Sequence, residues 1–165
     1  MKIYYSFALY RITEFSKKYE KVLRLIRSGR DSLVRDWFDD AMRREENNAP
    51  HPSRAKLYNS IFASIADSDV CIFDSTAKSM GVGQQIMYAL QNRKPTLVIS
   101  DIREEDSVVN RLLISGNKSH YLTLRDYSSD EEMLRHVDEF IEKHRNARDK
   151  RMTLAIDRKS TRLNS

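Results

Sequence analysis

Asp69-Val70-Cys71-Ile72-Phe73-Asp74, and after a polar turn Ser79-Met80-Gly81-Val82-Gly83-Gln84-Gln85-Ile86, form the stretch that decides how this chain folds. The first run is continuously apolar and closes on an aspartate. A central strand of a parallel sheet has this pattern, because helices cover both of its faces. The second run opens a helix, in which Val82, Ile86, Ala89 and Leu90 recur at helical spacing up to Asn92. Pro95 to Ser100 is then another short apolar run. Strand, helix and strand in that order make a parallel crossover unit.

The same alternation extends outward in both directions. Lys2 to Leu9, rich in Tyr, Ile and Phe, predicts a first strand. Phe15, Tyr19, Val22, Leu23 and Ile26 predict a helix from Thr13, with a glycine C-cap signal at Ser28-Gly29. Ser32 to Trp37 suits a short second strand. Asp39 to Ser53 is the longest loop, broken at Asn47-Asn48-Ala49-Pro50-His51-Pro52, with room for a helical turn or two between 38 and 46. Arg54 to Ala66 is helical, as is Asp106 to Ile114, and His120 to Leu124 is a last strand. Ser129 to His144 closes the chain as an amphipathic helix, with a capping box in Ser129-Asp130-Glu131-Glu132. Five such alternations predict a single α/β domain of flavodoxin-like (Rossmann-like) architecture. Its five parallel strands take the order 2-1-3-4-5, with helices on both faces.

Composition narrows the function classes. With 165 residues, 40% hydrophobic and 32% charged, the chain can bury one core. No apolar run is long enough to span a membrane, and Met1-Lys2-Ile3-Tyr4-Tyr5 leads into a strand without a signal-peptide pattern. The one cysteine, Cys71, lies in an apolar run and reads as core; a reducing, cytoplasmic setting is expected. The net charge is +5, but residues 1–144 carry equal numbers of basic and acidic side chains. The excess lies from Arg145 on, so nucleic acid is an expected partner only through that tail. The expected division is a domain over 1–144 and a poorly ordered basic tail over 145–165. The end of that tail, from Asp157, resembles a cloning or assembly scar.

In a sheet of this order, ligands bind outside the carboxyl ends of the strands where the order reverses. That point lies between Ser6–Arg11 and Asp74–Gln85. Gly81 and Gly83 stand at a helix N-terminus, whose amides and dipole favour an anion, and Ser79 can add a hydroxyl. Two glycines so placed can equally serve tight helix–strand packing.

Ala66-Asp67-Ser68-Asp69-Val70, Ser79 to Ile86, Ala89-Leu90 and Lys94-Pro95-Thr96-Leu97-Val98-Ile99 together resemble the nucleoside 2-deoxyribosyltransferase-like superfamily. The motif is nearest to the 2′-deoxynucleoside 5′-phosphate N-hydrolases. The likeness runs from residue 2 to about 127, with Lys2-Ile3-Tyr4-Tyr5-Ser6 as the opening strand and Tyr121 to Tyr127 as the closing one. It implies hydrolysis or exchange of the N-glycosidic bond of a nucleoside or its 5′-monophosphate. A family glutamate serves as nucleophile or counter-charge to an oxocarbenium-like transition state. Its position here is Gln85, whose neutral amide can do neither. The family's leaving-group aspartate falls near Ile61, where no acid stands, and Phe7-Ala8-Leu9 replaces a glycine-containing turn. Ser79 agrees with the nucleotide branch, in which a serine holds the 5′-phosphate.

Three readings of Gln85 stand open: an engineered change that traps ligand, a native branch that binds without cleaving, or another acid in its place. Asp74 is the candidate for that acid, with loop organisation as its alternative role; Asp101 reads as a solvated loop residue. The candidate nucleotide-binding residues are Tyr4, Ser6, Arg11, Ser75, Ser79, Gly81, Gly83 and Asn110. Tyr4, Tyr5 and Trp37 read first as core aromatics. Asn110 and Ser115 carry over as contacts to a neighbouring subunit's ligand, since family sites are often completed across a homodimer. No metal-like spacing of Cys or His exists, and no cofactor is expected. The rival to an N-glycosidase is a non-catalytic nucleotide sensor, by analogy with TIR-like folds. A third option is a structural subunit whose glycines only pack.

Overall fold

A computed structural model describes residues 1–36, 39–40, 43–44, 47, 50, 52–103 and 114–163. Its strands are β1 (Lys2–Ser6), β2 (Ser32–Leu33), β3 (Val70–Asp74), β4 (Thr96–Asp101) and β5 (Leu122–Tyr127). The helices are α1 (Ile12–Ser28, entered through a 3₁₀ turn at Leu9–Arg11), α2 (Arg54–Asp67), α3 (Met80–Gln91) and α4 (Asp130–Leu163). All strand pairs are parallel and the sheet order is β2-β1-β3-β4-β5, as the sequence pattern predicts. The expected helix at 106–114 falls mostly outside the described residues, as do Trp37 and Asn110.

Strand alternation sorts the core into two layers. Ile3, Tyr5, Val70, Ile72, Leu97 and Ile99 pack under α1 and α4, against Val22, Ile26, Met133, Val137 and Phe140. Tyr4, Cys71, Phe73 and Val98 pack on the opposite face under α2 and α3, against Ile65, Val82, Ile86, Ala89 and Leu90. In α3 the buried positions are 82, 85, 86, 89 and 90, the i, i+3, i+4, i+7, i+8 stripe of a helix with one face on a sheet.

Helix ends follow local chemistry, with instructive departures. Ser53 caps α2 by accepting from the Lys56 amide at 3.3 Å. Ser129 caps α4 by accepting from the Glu132 amide at 3.1 Å. The Glu132 carboxylate does not return to Ser129, as the expected capping box requires, but takes the Ser128 amide at 2.8 Å and its hydroxyl at 3.0 Å. Gly29 ends α1 with φ −84° and ψ −171°, extended backbone rather than the left-handed cap that its glycine suggested. β2 has two residues instead of six, and β5 lies two residues later than expected, because its register is set by pairing Thr96–Asp101 with Leu122–Tyr127.

The closing helix, α4, runs from Asp130 to Leu163. Arg145 bonds Asp31, which also holds the N-terminal ammonium of Met1, and Arg148 reaches Asp69 at 2.6 Å. These ion pairs fasten the start of the basic segment to the amino-terminal edge of the sheet. Among the described residues no helix is long and apolar enough to cross a membrane.

Candidate functional site

At the carboxyl end of the sheet, the turn after β1 and the loop after β3 meet. The Tyr10 hydroxyl donates to the Lys78 carbonyl at 2.6 Å, tying the two together. This is the crevice where the strand order reverses.

Ser79 is the N-cap of α3. Its Oγ accepts from the Val82 amide at 3.3 Å, and its carbonyl accepts from the Gly83 amide at 3.0 Å. The hydroxyl hydrogen is then available to an anion, as are the Met80 and Gly81 amides, which precede the first intrahelical bond. Neither glycine has a positive φ. A Cβ at Gly83 would meet nothing within 4 Å, and one at Gly81 would meet only the Ser79 Oγ at 3.8 Å. Packing of the helix on the sheet therefore does not require either glycine, which removes the packing alternative among the described residues. What the missing side chains leave is open space beside the first turn of α3.

That space is the rim of a cleft of about 790 Å³ along the outer side of α3. Ser75, Lys78, Ser79 and Gly83 line it together with Tyr58, Phe62, Met87, Tyr88 and Ile114. Lys78 was not singled out from the sequence. A cation directly before an N-cap serine is the signal that could have found it. The aromatic wall comes from α2, whose Tyr58 and Phe62 rings lie 4.4 Å apart, with Phe62 edge-on to Tyr88 at 4.6 Å. Read singly, these residues look like ordinary helix-face aromatics.

Beneath α3 lies the second part of the site. Gln85 is 8% exposed, and its Oε1 accepts a 2.9 Å hydrogen bond from the Tyr4 hydroxyl, which reaches up from β1. Tyr4 is fully buried and packs at 5.8 Å against Phe73. It is a core aromatic, and its hydroxyl also orients the Gln85 side chain. With Oε1 occupied by a donor, Gln85 offers its remaining NH2 group, which can donate but has no electron pair to give.

Asp74 stands apart from Gln85. It continues the Val70–Ile72 side of β3 and faces α1 and α4, whereas Gln85 comes down on the other face of the sheet. Its Oδ1 accepts from the Thr76 amide at 2.9 Å and its Oδ2 from the Tyr127 hydroxyl at 3.4 Å. Burial pushes its carboxyl above the ordinary carboxylate range. These bonds are those of a residue that organises the loop after β3. Asp101, expected as solvated, is buried instead. Burial works against its charge, but hydrogen bonds from Arg103 and from Lys18, the latter at 2.9 Å, prevail and hold it down at about 2. Cys71 is buried as expected, and burial lifts its thiol to about 11.

The remaining candidates sit nearby with other engagements. Ser75 Oγ lies 2.6 Å from Ser100 Oγ, joining the ends of β3 and β4 at the floor of the cleft. Ser6 ends β1 and is buried. Arg11 ends the 3₁₀ turn, is partly exposed, and is not among the residues lining the cleft. The structure therefore gathers Ser75, Ser79 and Gly83 around one opening and joins Tyr4 to Gln85 on the sheet-facing side of α3, neither of them among the residues that line that opening. It does not bring Asp74 to either.

No family model matches the chain, and no curated protein matches it. Solved structures do. The structure of Clostridium botulinum CMP N-glycosidase, BcmB, superposes with a TM-score of 0.59 at 14% identity, covering 84% of this chain and 98% of that one. The chain shares its fold with a nucleotide N-glycosidase. A conserved protein from Enterococcus faecalis V583 matches at 16% identity and TM-score 0.49, again over 84% of this chain and 98% of the other. The likeness to the CMP N-glycosidase spans nearly all of that protein and agrees with the flavodoxin-like sheet described above.

Proposed function

We propose that this chain binds a nucleoside 5′-monophosphate, with the phosphate at Ser79, Gly81 and Gly83 and the sugar directed toward Gln85. In this reading it is a relative of the enzymes that hydrolyse or exchange the N-glycosidic bond, in a form whose reaction is blocked. The observation that carries the reading is the Tyr4–Gln85 hydrogen bond on the sheet-facing side of α3, a helix whose first turn the two glycines leave open. A carboxylate in that place could hold Tyr4 with one oxygen and present the other to an anomeric carbon. The amide of Gln85 presents hydrogens instead, which do not stabilise a developing oxocarbenium ion. The likeness to a CMP N-glycosidase supports the nucleotide reading. The neutral amide favours the second reading, a nucleotide sensor that retains its ligand intact. In both, the working unit is a homodimer.

The test is to incubate the chain and its Gln85→Glu variant with a panel of nucleoside 5′-monophosphates, following released base by chromatography and binding by calorimetry. The expected result is binding without release by the chain, and release by the variant. Release by the unmodified chain would overturn the blocked reaction. Absence of nucleotide binding would overturn the proposal as a whole.

A further inference from the structure

We propose that Thr76 and Tyr10 are positioning residues for the phosphate site: they fix the two residues ahead of Ser79 and so set the first turn of α3 before any ligand arrives. The inference rests on the 5′-monophosphate reading above for its ligand, and adds the side chains that hold the site in shape.

The segment Asp74-Ser75-Thr76-Ala77-Lys78-Ser79 joins β3 to α3. It contains neither proline nor glycine, so its course is set neither by a restricted nor by a permissive backbone. Connecting segments run over the surface as a rule, because a buried one must satisfy its own polar groups. This one is sunk at its start: Asp74 is 1% exposed, Ser75 3% and Thr76 1%.

The Ser75 amide still pairs with β4, donating to the Ile99 carbonyl at 2.9 Å. The next rung of a parallel ladder would bring the Asp101 amide to the Ser75 carbonyl. It goes instead to the Thr76 hydroxyl, at 3.1 Å. A side chain thus stands in for strand backbone, and the chain can turn toward α3 while staying bonded to β4. The Thr76 amide also donates to Asp74 Oδ1 at 2.9 Å, and its Oγ1 lies 3.3 Å from the Tyr127 hydroxyl. Thr76 is therefore tied to the ends of β3, β4 and β5 at once. Tyr10 closes the other end of the span. Its hydroxyl donates to the Lys78 carbonyl at 2.6 Å, although the residue is 64% exposed. Between these anchors, Ala77 is buried in the core under α1 and α4. A span of two residues held at both ends leaves Ser79 little room to shift. Donors already in place lose less freedom when an anion binds, which is what positioning gains.

Amide hydrogen exchange by NMR on the full chain separates positioning from a purely structural role. Thr76→Val keeps the shape and removes the acceptor, so the Asp101 amide is expected to exchange faster. The Val82 and Gly83 amides, which Ser79 holds, should follow by about tenfold, the factor for one buried hydrogen bond. Ala89 and Leu90, at the far end of α3, should keep their rates. Thr76→Ser retains a hydroxyl and should restore the wild-type pattern. Calorimetry on the same samples should show affinity for nucleoside 5′-monophosphates lowered in Thr76→Val, with affinity for the free nucleosides unchanged. A Thr76 that only ends β3 would speed every amide of α3 alike, or none, and would leave the affinity of the folded chain as it was. Either result overturns the inference. If Thr76→Val does not fold, Tyr10→Phe makes the same test from the exposed end; unchanged exchange at Val82 and Gly83 there overturns it equally. A wild-type chain that binds no 5′-monophosphate defeats the function proposed above, and the exchange rates then decide the positioning of Ser79 by themselves.

Discussion

Tyr4→Phe is the substitution that probes the site most directly. The ring stays in place against Phe73, so the apolar contribution is kept, and only the hydroxyl that donates to Gln85 Oε1 is lost. Gln85 is 8% exposed, which leaves its carbonyl oxygen little recourse to water. An unsatisfied buried polar atom costs about 1–3 kcal/mol. For a chain of this size that lowers Tm by roughly 2–12 °C. Gln85→Met, close in shape, removes the same hydrogen bond from the other side and should also destabilise the chain. One bond can be lost only once, so the loss in the double variant should fall short of the summed single losses by about 1 kcal/mol or more. Urea denaturation of the wild type, both single variants and the double variant completes the cycle. Additivity within about 0.5 kcal/mol would show that Tyr4 does not hold Gln85, and the account of how the amide is oriented would fail.

Other expectations are as specific. Gly83→Ala should stabilise the chain by about 0.5–1 kcal/mol, because the added methyl meets nothing and α3 gains a better helix former. The same change should weaken 5′-monophosphate binding; a calorimetric affinity that does not fall would refute close backbone approach there. Ser79→Ala should cost about 1 kcal/mol as a lost cap and weaken phosphate esters more than free nucleosides; equal losses would contradict the phosphate placement. Asp74 and Asp101 should give opposite pH signatures. The Asp74 carboxyl is raised in the folded state, so it lowers stability as pH climbs from the ordinary carboxylate value through its folded one. Asp74→Asn keeps an acceptor for the Thr76 amide and turns a donor, Nδ2, toward the Tyr127 hydroxyl oxygen, and denaturation midpoints should show that decline abolished. Asp101, held at about 2, contributes stability that is present above pH 4 and is lost as pH falls toward 2; Asp101→Asn should remove that acid sensitivity.

The sheet order and both core layers were legible in the sequence because periodicity reports burial. Val70–Phe73 and the 82, 86, 89, 90 stripe each carry their own signal. The turn at Ser79 was legible too, since an N-cap serine with nearby glycines is a local pattern. What escaped was contact between distant segments. Nothing in the order of residues says that the Tyr4 hydroxyl reaches Gln85, 81 positions later. Asp101 reads as a loop residue until Lys18 and Arg103 close over it. Asp74 shares its side of β3 with Val70 and Ile72, whereas Gln85 packs on the other face of the sheet.

Under the function proposed above, that parity limits where an acid could serve position 85. The two middle strands divide the carboxyl end of the sheet into compartments one backbone thick, and a side chain cannot cross between them without changing register along its whole strand. Substitution around Asp74 therefore stays in the wrong compartment, however acidic the result. Positions 6 and 75 close β1 and β3 on the side that Gln85 occupies, and both now hold serine. A lineage or a designer seeking a carboxylate there has position 85 itself and those two neighbours to work with.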